Sequence, residues 1–521
     1  MNKQQKTKGS CVRYVVIFLA LLLIGWLAVV LLHLQNIKKA AADAIATPVA
    51  TVVLGSASES VDLEKKQLRV VELPKVETKP IGKGSPAGAV NASPSKEEEE
   101  IDDTYHIVFS TGCSEFQDWQ SIGVYSSAEA VGQRGVVTRI ASGCSPEQKK
   151  SIAHAMSHLP KRCRVHFAPN TEVRDHGGHI YKYANKPLGM MHWLNHADPP
   201  IPPSATVALI DPDFFFLRPI YHDSFNDPSQ YFASGAAVKT PMPTPLRKGS
   251  MISQRYGIGG TPWRRGPGRN GQKAWELKEY LTSIGRPDSP ANAPDLKEDS
   301  AGTWYSFGAP YIALAEDWLP IATNWTGLMP MAVERNFGNL AEMYAMSIAV
   351  ADYGIRPAMI DSLMVSNVDA GGEGWPWVDK LPMDRGCDPT VLTQESPRYP
   401  LPTWLHYCQN YRVRDFQEMN KENPSLAPNW AFSKYQVPDE ILHCPPGSKA
   451  FEGGEVKPAK KNGNKGGMHL GADGFLPEPP TQVSGHDSLQ QLRHNFANCV
   501  ATRAVNQAAK DYRRWFCEVS H

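Results

Sequence analysis

The run Ala205-Thr-Val-Ala-Leu-Ile210, apolar at nearly every position, is the feature that most constrains the fold. A strand with one wet face alternates apolar and polar residues. A continuous apolar run belongs to a strand covered on both faces, the usual environment of a parallel sheet. The preceding residues repeat the signal. Strand patterns over His106–Thr111, Gly135–Ile140 and Arg164–Phe167 alternate with helical patterns over Phe116–Val131, Pro146–Ser157 and Lys186–His196. This order predicts an α/β fold of Rossmann-like type, a mostly parallel sheet with helices on both faces.

Asp211-Pro-Asp213 follows the buried run directly. Open α/β sheets bind ligands beyond the carboxyl ends of their strands. Two carboxylates one residue apart in that place can converge on Mn²⁺ or Mg²⁺, which prefer oxygen ligands and bridge protein carboxylates to substrate phosphates. The plain alternative is an Asp-Pro turn closing a strand. His406, in the apolar segment Thr403–Gln409, is a candidate third ligand; otherwise it is a satisfied core histidine. Asn185 and Lys186 open a helix just ahead of the metal strand. The lysine could neutralise phosphate there, or the pair could simply start the helix before Pro187. Glu342 lies in the apolar stretch Leu340–Met346, where a carboxylate is costly to bury without a partner. Trp119, Gln120 and Arg139 fall on the first helix and second strand, where such folds hold a nucleotide, although any single tryptophan is more often core.

Charge excludes one class of partner. With 54 Lys+Arg against 53 Asp+Glu, the net charge of +1 lacks the basic excess of a nucleic-acid binder. No Asp, Glu, Lys or Arg interrupts Tyr14–Leu34, long enough as a helix to span a bilayer core of about 30 Å. Lys3, Lys6, Lys8 and Arg13 precede it, which predicts a cytosolic tail over 1–13, a signal anchor over 14–34 and everything downstream in the lumen. Residues 35–103 read as a disordered stem, 104–444 as the folded domain, 445–485 as a Gly/Lys/Pro-rich linker and 486–521 as a C-terminal helix. Asn91 and Asn324 head glycosylation sequons. Cys11 would be cytosolic. The other eight cysteines are compatible with four disulfides of unassigned pairing, and the chain reads as lacking both Cys-x-x-Cys and His-x-x-x-His spacing, so a structural zinc site is not expected. Arg264, Arg265 and Arg269 read as a solvated basic loop.

Taken in order, Asp118-Trp119-Gln120, Thr138-Arg139-Ile140, Asn185-Lys186-Pro187, His192-Trp193-Leu194, Asp211-Pro-Asp213, Glu342-Met343-Tyr344 and His406-Tyr407 resemble plant and algal peptidyl glycosyltransferases. The likeness is to hydroxyproline O-arabinosyltransferases and serine O-α-galactosyltransferases, over roughly Tyr105 to Cys444. The resemblance implies a GT-A fold, a UDP-sugar donor, Mn²⁺ or Mg²⁺, and an anomer-retaining transfer to a protein hydroxyl in the Golgi. The enzyme would be a single-pass type II protein of that membrane, and its acceptor a secretory-pathway protein. It also implies roles: Asp211, Asp213 and His406 at the metal and diphosphate; Trp119, Gln120, Arg139, Asn185 and Lys186 at the donor; Glu342 at the transferred sugar or acceptor. A transferase of glycans or cell-wall polysaccharide, or a non-catalytic glycan binder on the same fold, is the alternative.

Overall fold

A computed structural model describes residues 101–518, except 234–239, 265, 267–273, 336–337, 339, 389–400, 413–430, 445–448, 451–467 and 480–488. Its centre is a seven-stranded sheet. In chain order the strands are β1 (Tyr105–Thr111), β2 (Val136–Ser142), β3 (Cys163–Ala168), β4 (Thr206–Ile210), then β6 (Met251–Arg255), β7 (Phe307–Leu314) and β8 (Ala358–Ile360), with β5 (Phe214–Phe216) outside it. They lie in the order β3-β2-β1-β4-β7-β6-β8. Strand β7 runs antiparallel to both neighbours; every other pairing is parallel. The run that predicted a doubly covered strand is β4, buried at all five positions.

The long helices are α1 (Glu115–Ala130), α2 (Pro146–Met156), α3 (Asn185–His196), α4 (Ala315–Arg335), α5 (Ala341–Asp352) and α6 (Leu489–Phe516). Helix α3 lies close over β2 because Gly189 permits it: a Cβ there would meet Ile140 at 2.7 Å. Helix α2 starts at a capping box, with Ser145 accepting from the Gln148 backbone N–H and Pro146 in the first turn. Mixed α/β architecture with a mostly parallel sheet is therefore observed as expected.

A second, smaller sheet carries the site geometry. It joins β5, β10 (Trp404–His406) and β9 (Met364–Val365) in the order β5-β10-β9. Strand β10 pairs antiparallel to β5, with His406 opposite Phe214 and Trp404 opposite Phe216. A separate apolar core lies under it, where Trp119, Phe215 and Tyr407 meet Leu492, Phe496 and Val500 of α6. Cys387–Cys499 bonds this helix to earlier chain, Cys444–Cys517 does the same just past its end, and Cys113–Cys144 ties the end of β1 to the end of β2. Four disulfides were compatible with the composition; three form, leaving Cys163 buried and Cys408 half-buried as thiols.

Two expectations need correction. Among the described residues no helix is long and apolar enough to cross a membrane. The longest, α6, carries Arg493, Arg503, Lys510, Asp511, Arg513 and Arg514, and α4 bears Glu316, Asp317 and Arg335. The expectation of a single-pass type II protein of the Golgi membrane is overturned on this finding; residues 1–13, the run 14–34, and 35–100 of the stem, with Asn91, lie outside the described residues. The linker reading also fails in part. Met468 and Leu476 are buried in the second core, and Asn506 of α6 brackets Leu476 with two 2.8 Å backbone hydrogen bonds.

Candidate active site

Asp211 and Asp213 occupy the turn between β4 and β5, at the carboxyl end of the central parallel strands. Because β10 pairs with β5 in the register His406 opposite Phe214, His406 lies across from Asp213, its Nε2 3.4 Å from Oδ1. The Tyr407 N–H donates to the Asp213 carbonyl at 3.0 Å and extends the ladder. Phe214 stacks on the His406 imidazole at 4.5 Å and fixes its plane. One ligand atom from each of Asp211, Asp213 and His406 falls within 4.8 Å of the others. Two carboxylates and an imidazole are an oxygen-rich donor set that suits Mn²⁺ or Mg²⁺.

Each carboxylate has a cation of its own. Lys186, in the first turn of α3, places Nζ 2.7 Å from Asp211 Oδ1 and 2.8 Å from Glu342 Oε1. Burial works against its charge, but Asp211 and Glu342 outweigh it and hold the ammonium well above its ordinary range. Lys186 is thus a fixed positive charge rather than a proton donor. Glu342, in the first turn of α5, is 3 % exposed. Burial pushes its carboxyl up against the pull of Lys186, with Asp211 adding to the rise. Lys434 puts Nζ 2.5 Å from Asp213 Oδ2. Burial opposes ionisation of Asp213, yet His406 and Lys434 outweigh it and keep the carboxyl far below its usual range. The site is a continuous line, Glu342–Lys186–Asp211 beside Lys434–Asp213–His406, in which buried charges are paired.

The remaining predicted residues are placed differently. Trp119 is buried in the second core, stacked on Tyr407 at 5.9 Å, and Gln120 is buried beside it. Arg139 pairs with Asp118 at 2.7 Å and donates to Thr111 Oγ1 and the Gly112 carbonyl, fastening the end of β1 to the start of α1. Asn185 accepts from the Thr171 N–H at 2.6 Å and donates to Asn170 Oδ1 at 2.9 Å, so its amide shapes the loop before α3. Asn324 lies inside α4, its Nδ2 donating to Asp352 and its Oδ1 accepting from Arg286. Arg264 pairs with Glu298 rather than standing solvated, and Arg265 and Arg269 lie outside the described residues.

Sequence reading missed Lys434, a single lysine in a short turn with no motif around it. It also missed two tyrosines at the rim. Tyr183, two residues before Asn185, and Tyr435, next to Lys434, are 48 % and 68 % exposed. Tyr435 lies flat on Phe116 at 5.6 Å, with 3° between the planes.

Comparison with known proteins bears out the resemblance. A stretch of 162 residues, 30% of this chain, is 30% identical to a peptidyl serine alpha-galactosyltransferase of Arabidopsis thaliana. A stretch of 131 residues, 25% of this chain, is 30% identical to the protein of the same name from Chlamydomonas reinhardtii. These matches span 18% and 16% of the two relatives, so the chain covers less than a fifth of either. Solved structures that match include the bifunctional glycosyltransferase WbbM, at 12% identity and TM-score 0.30 over 61% of this chain and 49% of that one. The galactosyltransferase LgtC, crystallised with donor and acceptor sugar analogues, matches at 12% and 0.30 over 63% of this chain and 97% of that one. No family model matches.

Proposed function

We propose that this chain is a metal-assisted, nucleotide-sugar-dependent glycosyltransferase of GT-A type. It moves galactose or arabinofuranose from a UDP-sugar to a hydroxyl of a serine- or hydroxyproline-containing protein, with retention of anomeric configuration. The observation that carries this reading is the buried line of paired charges at the carboxyl end of β4, with the Asp211–Asp213–His406 donor set at its centre. The partial identity to peptidyl serine alpha-galactosyltransferases supports the choice of donor and acceptor.

Asp211, Asp213 and His406 would hold Mn²⁺ or Mg²⁺, and the ion would supply charge neutralisation for the departing diphosphate. The other residues position and polarise. Lys186 forms close ion pairs with both Asp211 and Glu342, which holds the two carboxylates in place before substrate arrives. Such preorganised charge stabilises the departing group without reorganisation during the reaction. Lys434 adds a second fixed ammonium on the opposite side of Asp213. Glu342, almost free of solvent, would accept hydrogen bonds from hydroxyls of the transferred sugar or the acceptor. Three disulfides suit an oxidising compartment, where a protein acceptor would be met.

The test is a donor panel presented to the full chain with serine-rich and hydroxyproline-rich peptides, read by product mass. A pentose or hexose increment on one peptide class, requiring Mn²⁺ or Mg²⁺, is expected. Transfer only to free oligosaccharides would move the acceptor to glycans, and no product with any donor would remove the enzyme reading.

A further inference from the structure

Helix α3 carries metal-ligating side chains at its other end as well. His192-Trp-Leu-Asn-His196 spaces two imidazoles one turn apart, so both face the same side of the helix. On that side lies β3, the edge strand of the sheet, which contributes His166. The His166 and His192 rings are 5.0 Å apart, with Nε2 of the first 2.8 Å from Nδ1 of the second. The His192 and His196 rings are 4.6 Å apart. At 2.8 Å one ring nitrogen must keep its proton while the other offers a lone pair, so this contact is between neutral imidazoles or involves one at most charged. His166 and His192 are half-buried, and His196 is exposed.

We propose that His166, His192 and His196 form a second metal site, taking a divalent cation that prefers imidazole, with Zn²⁺ foremost. Three nitrogens at 2.0–2.1 Å from a tetrahedral ion stand about 3.3 Å from one another, so the His166–His192 contact need open by only about half an ångström. As the rings stand, the ligand nitrogens of the three do not all lie within 4.8 Å of one another, so binding requires the exposed His196 ring to turn toward the other two. Each imidazole keeps its proton on the nitrogen facing away, and water fills the fourth position. Imidazoles without carboxylates discriminate against Mg²⁺ and Mn²⁺, which separates this site chemically from Asp211, Asp213 and His406. Lys149, in α2, is the charge that opposes the ion: it bears on His192 from across the cluster. A bound ion would pin the C-terminal end of α3 to β3 and so brace the helix whose first turn carries Lys186.

The experiment uses the full chain in excess Mg²⁺, which fills the oxygen-rich site, and titrates Zn²⁺ and then Co²⁺. One equivalent of Zn²⁺ should bind beyond the Mg²⁺, and Co²⁺ should give the strong visible absorption of a four-coordinate imidazole site. His192→Gln and His196→Gln should each weaken Zn²⁺ binding by at least about ten-fold, the low end of the loss caused even by changes outside the ligand shell. Both should abolish the Co²⁺ band. His154→Gln, which breaks the other His-x-x-x-His pair, should leave both readouts unchanged, and Lys149→Glu should tighten binding. His196 is exposed, so its variant tests the site without threatening the fold. Absence of a Zn²⁺ equivalent, binding unchanged in His192→Gln and His196→Gln, or binding lost only in Asp211→Asn would each overturn the proposal.

Discussion

The two ends of α3 solve the same problem in opposite ways. At its start, Lys186 is buried with its charge intact because Asp211 and Glu342 stand at 2.7 and 2.8 Å. At its end, His166 is half-buried and gives up its charge: burial, then His192 and His196, bring its imidazole down to about 4. A lysine keeps its proton across the physiological range and must be paired when buried, whereas an imidazole can become neutral. The charged end is therefore suited to holding phosphate and metal charge, and the neutral end to ligating a softer ion or simply packing.

The comparison breaks most sharply at Lys186. Lys186→Met leaves the buried Glu342 and the half-buried Asp211 unpaired and should cost about 3–5 kcal/mol in denaturant unfolding, with transfer abolished. An unfolding midpoint equal to the native chain's would show that the line of charges is not held as described. Glu342→Gln keeps the shape and a hydrogen-bonding group but removes one charge. Stability should fall by no more than about 1.5–3 kcal/mol, because the neutral amide escapes part of the cost of burial, while transfer falls further than binding of the donor. A variant with native kcat would remove Glu342 from the site's work.

Lys434→Met tests a smaller effect. Its ammonium competes with any cation for Asp213, so Mn²⁺ should bind about ten-fold tighter in the variant, roughly 1.4 kcal/mol, while turnover drops. Isothermal titration with Mn²⁺ measures the first and donor hydrolysis the second; weaker Mn²⁺ binding would contradict the pairing. The smallest effect belongs to the neutral end. The unfolded chain's imidazole titrates near 6.5 and folded His166 at about 4, so between those values the unfolded state holds a proton that the folded state lacks. Stability should decline as pH falls through that window and lose nothing more from this group below it. With the ring half-exposed, the loss is about 1 kcal/mol. His166→Gln should flatten that part of the pH profile, and an unchanged profile would sink the assignment.

What the sequence disclosed follows from how local each signal is. Strand β4 and the Asp211–Asp213 turn were legible because a continuous apolar run and a following carboxylate pair lie in neighbouring residues. His406 was legible as a candidate ligand but its approach to Asp213 was not, since that depends on the register of β10 on β5, a pairing between distant parts of the chain. The Lys186–Glu342 bridge and the Lys434–Asp213 pair are hidden for the same reason. Trp119 and Asn185 show the same limit from the other side. Both sit in suggestive places, yet Trp119 packs into a core that α6 completes from the far end of the chain, and Asn185 spends its amide on a loop. The neutral cluster was missed: the sequence reading found no His-x-x-x-His spacing although His192-x-x-x-His196 carries it, and no local pattern brings His166 to it.

The central claim is that Asp213 holds a catalytic metal for transfer from a UDP-sugar. The most direct measurement is turnover of UDP-galactose and UDP-arabinofuranose by the full chain against rising Mn²⁺, for the native chain and for Asp213→Asn, with thermal unfolding confirming that both are folded. The account predicts saturable Mn²⁺ dependence in the native chain and a fall of about 10²–10³-fold in the variant, the loss typical of removing one preorganised group from a charged transition state. Turnover independent of Mn²⁺, or undiminished in folded Asp213→Asn, would contradict it.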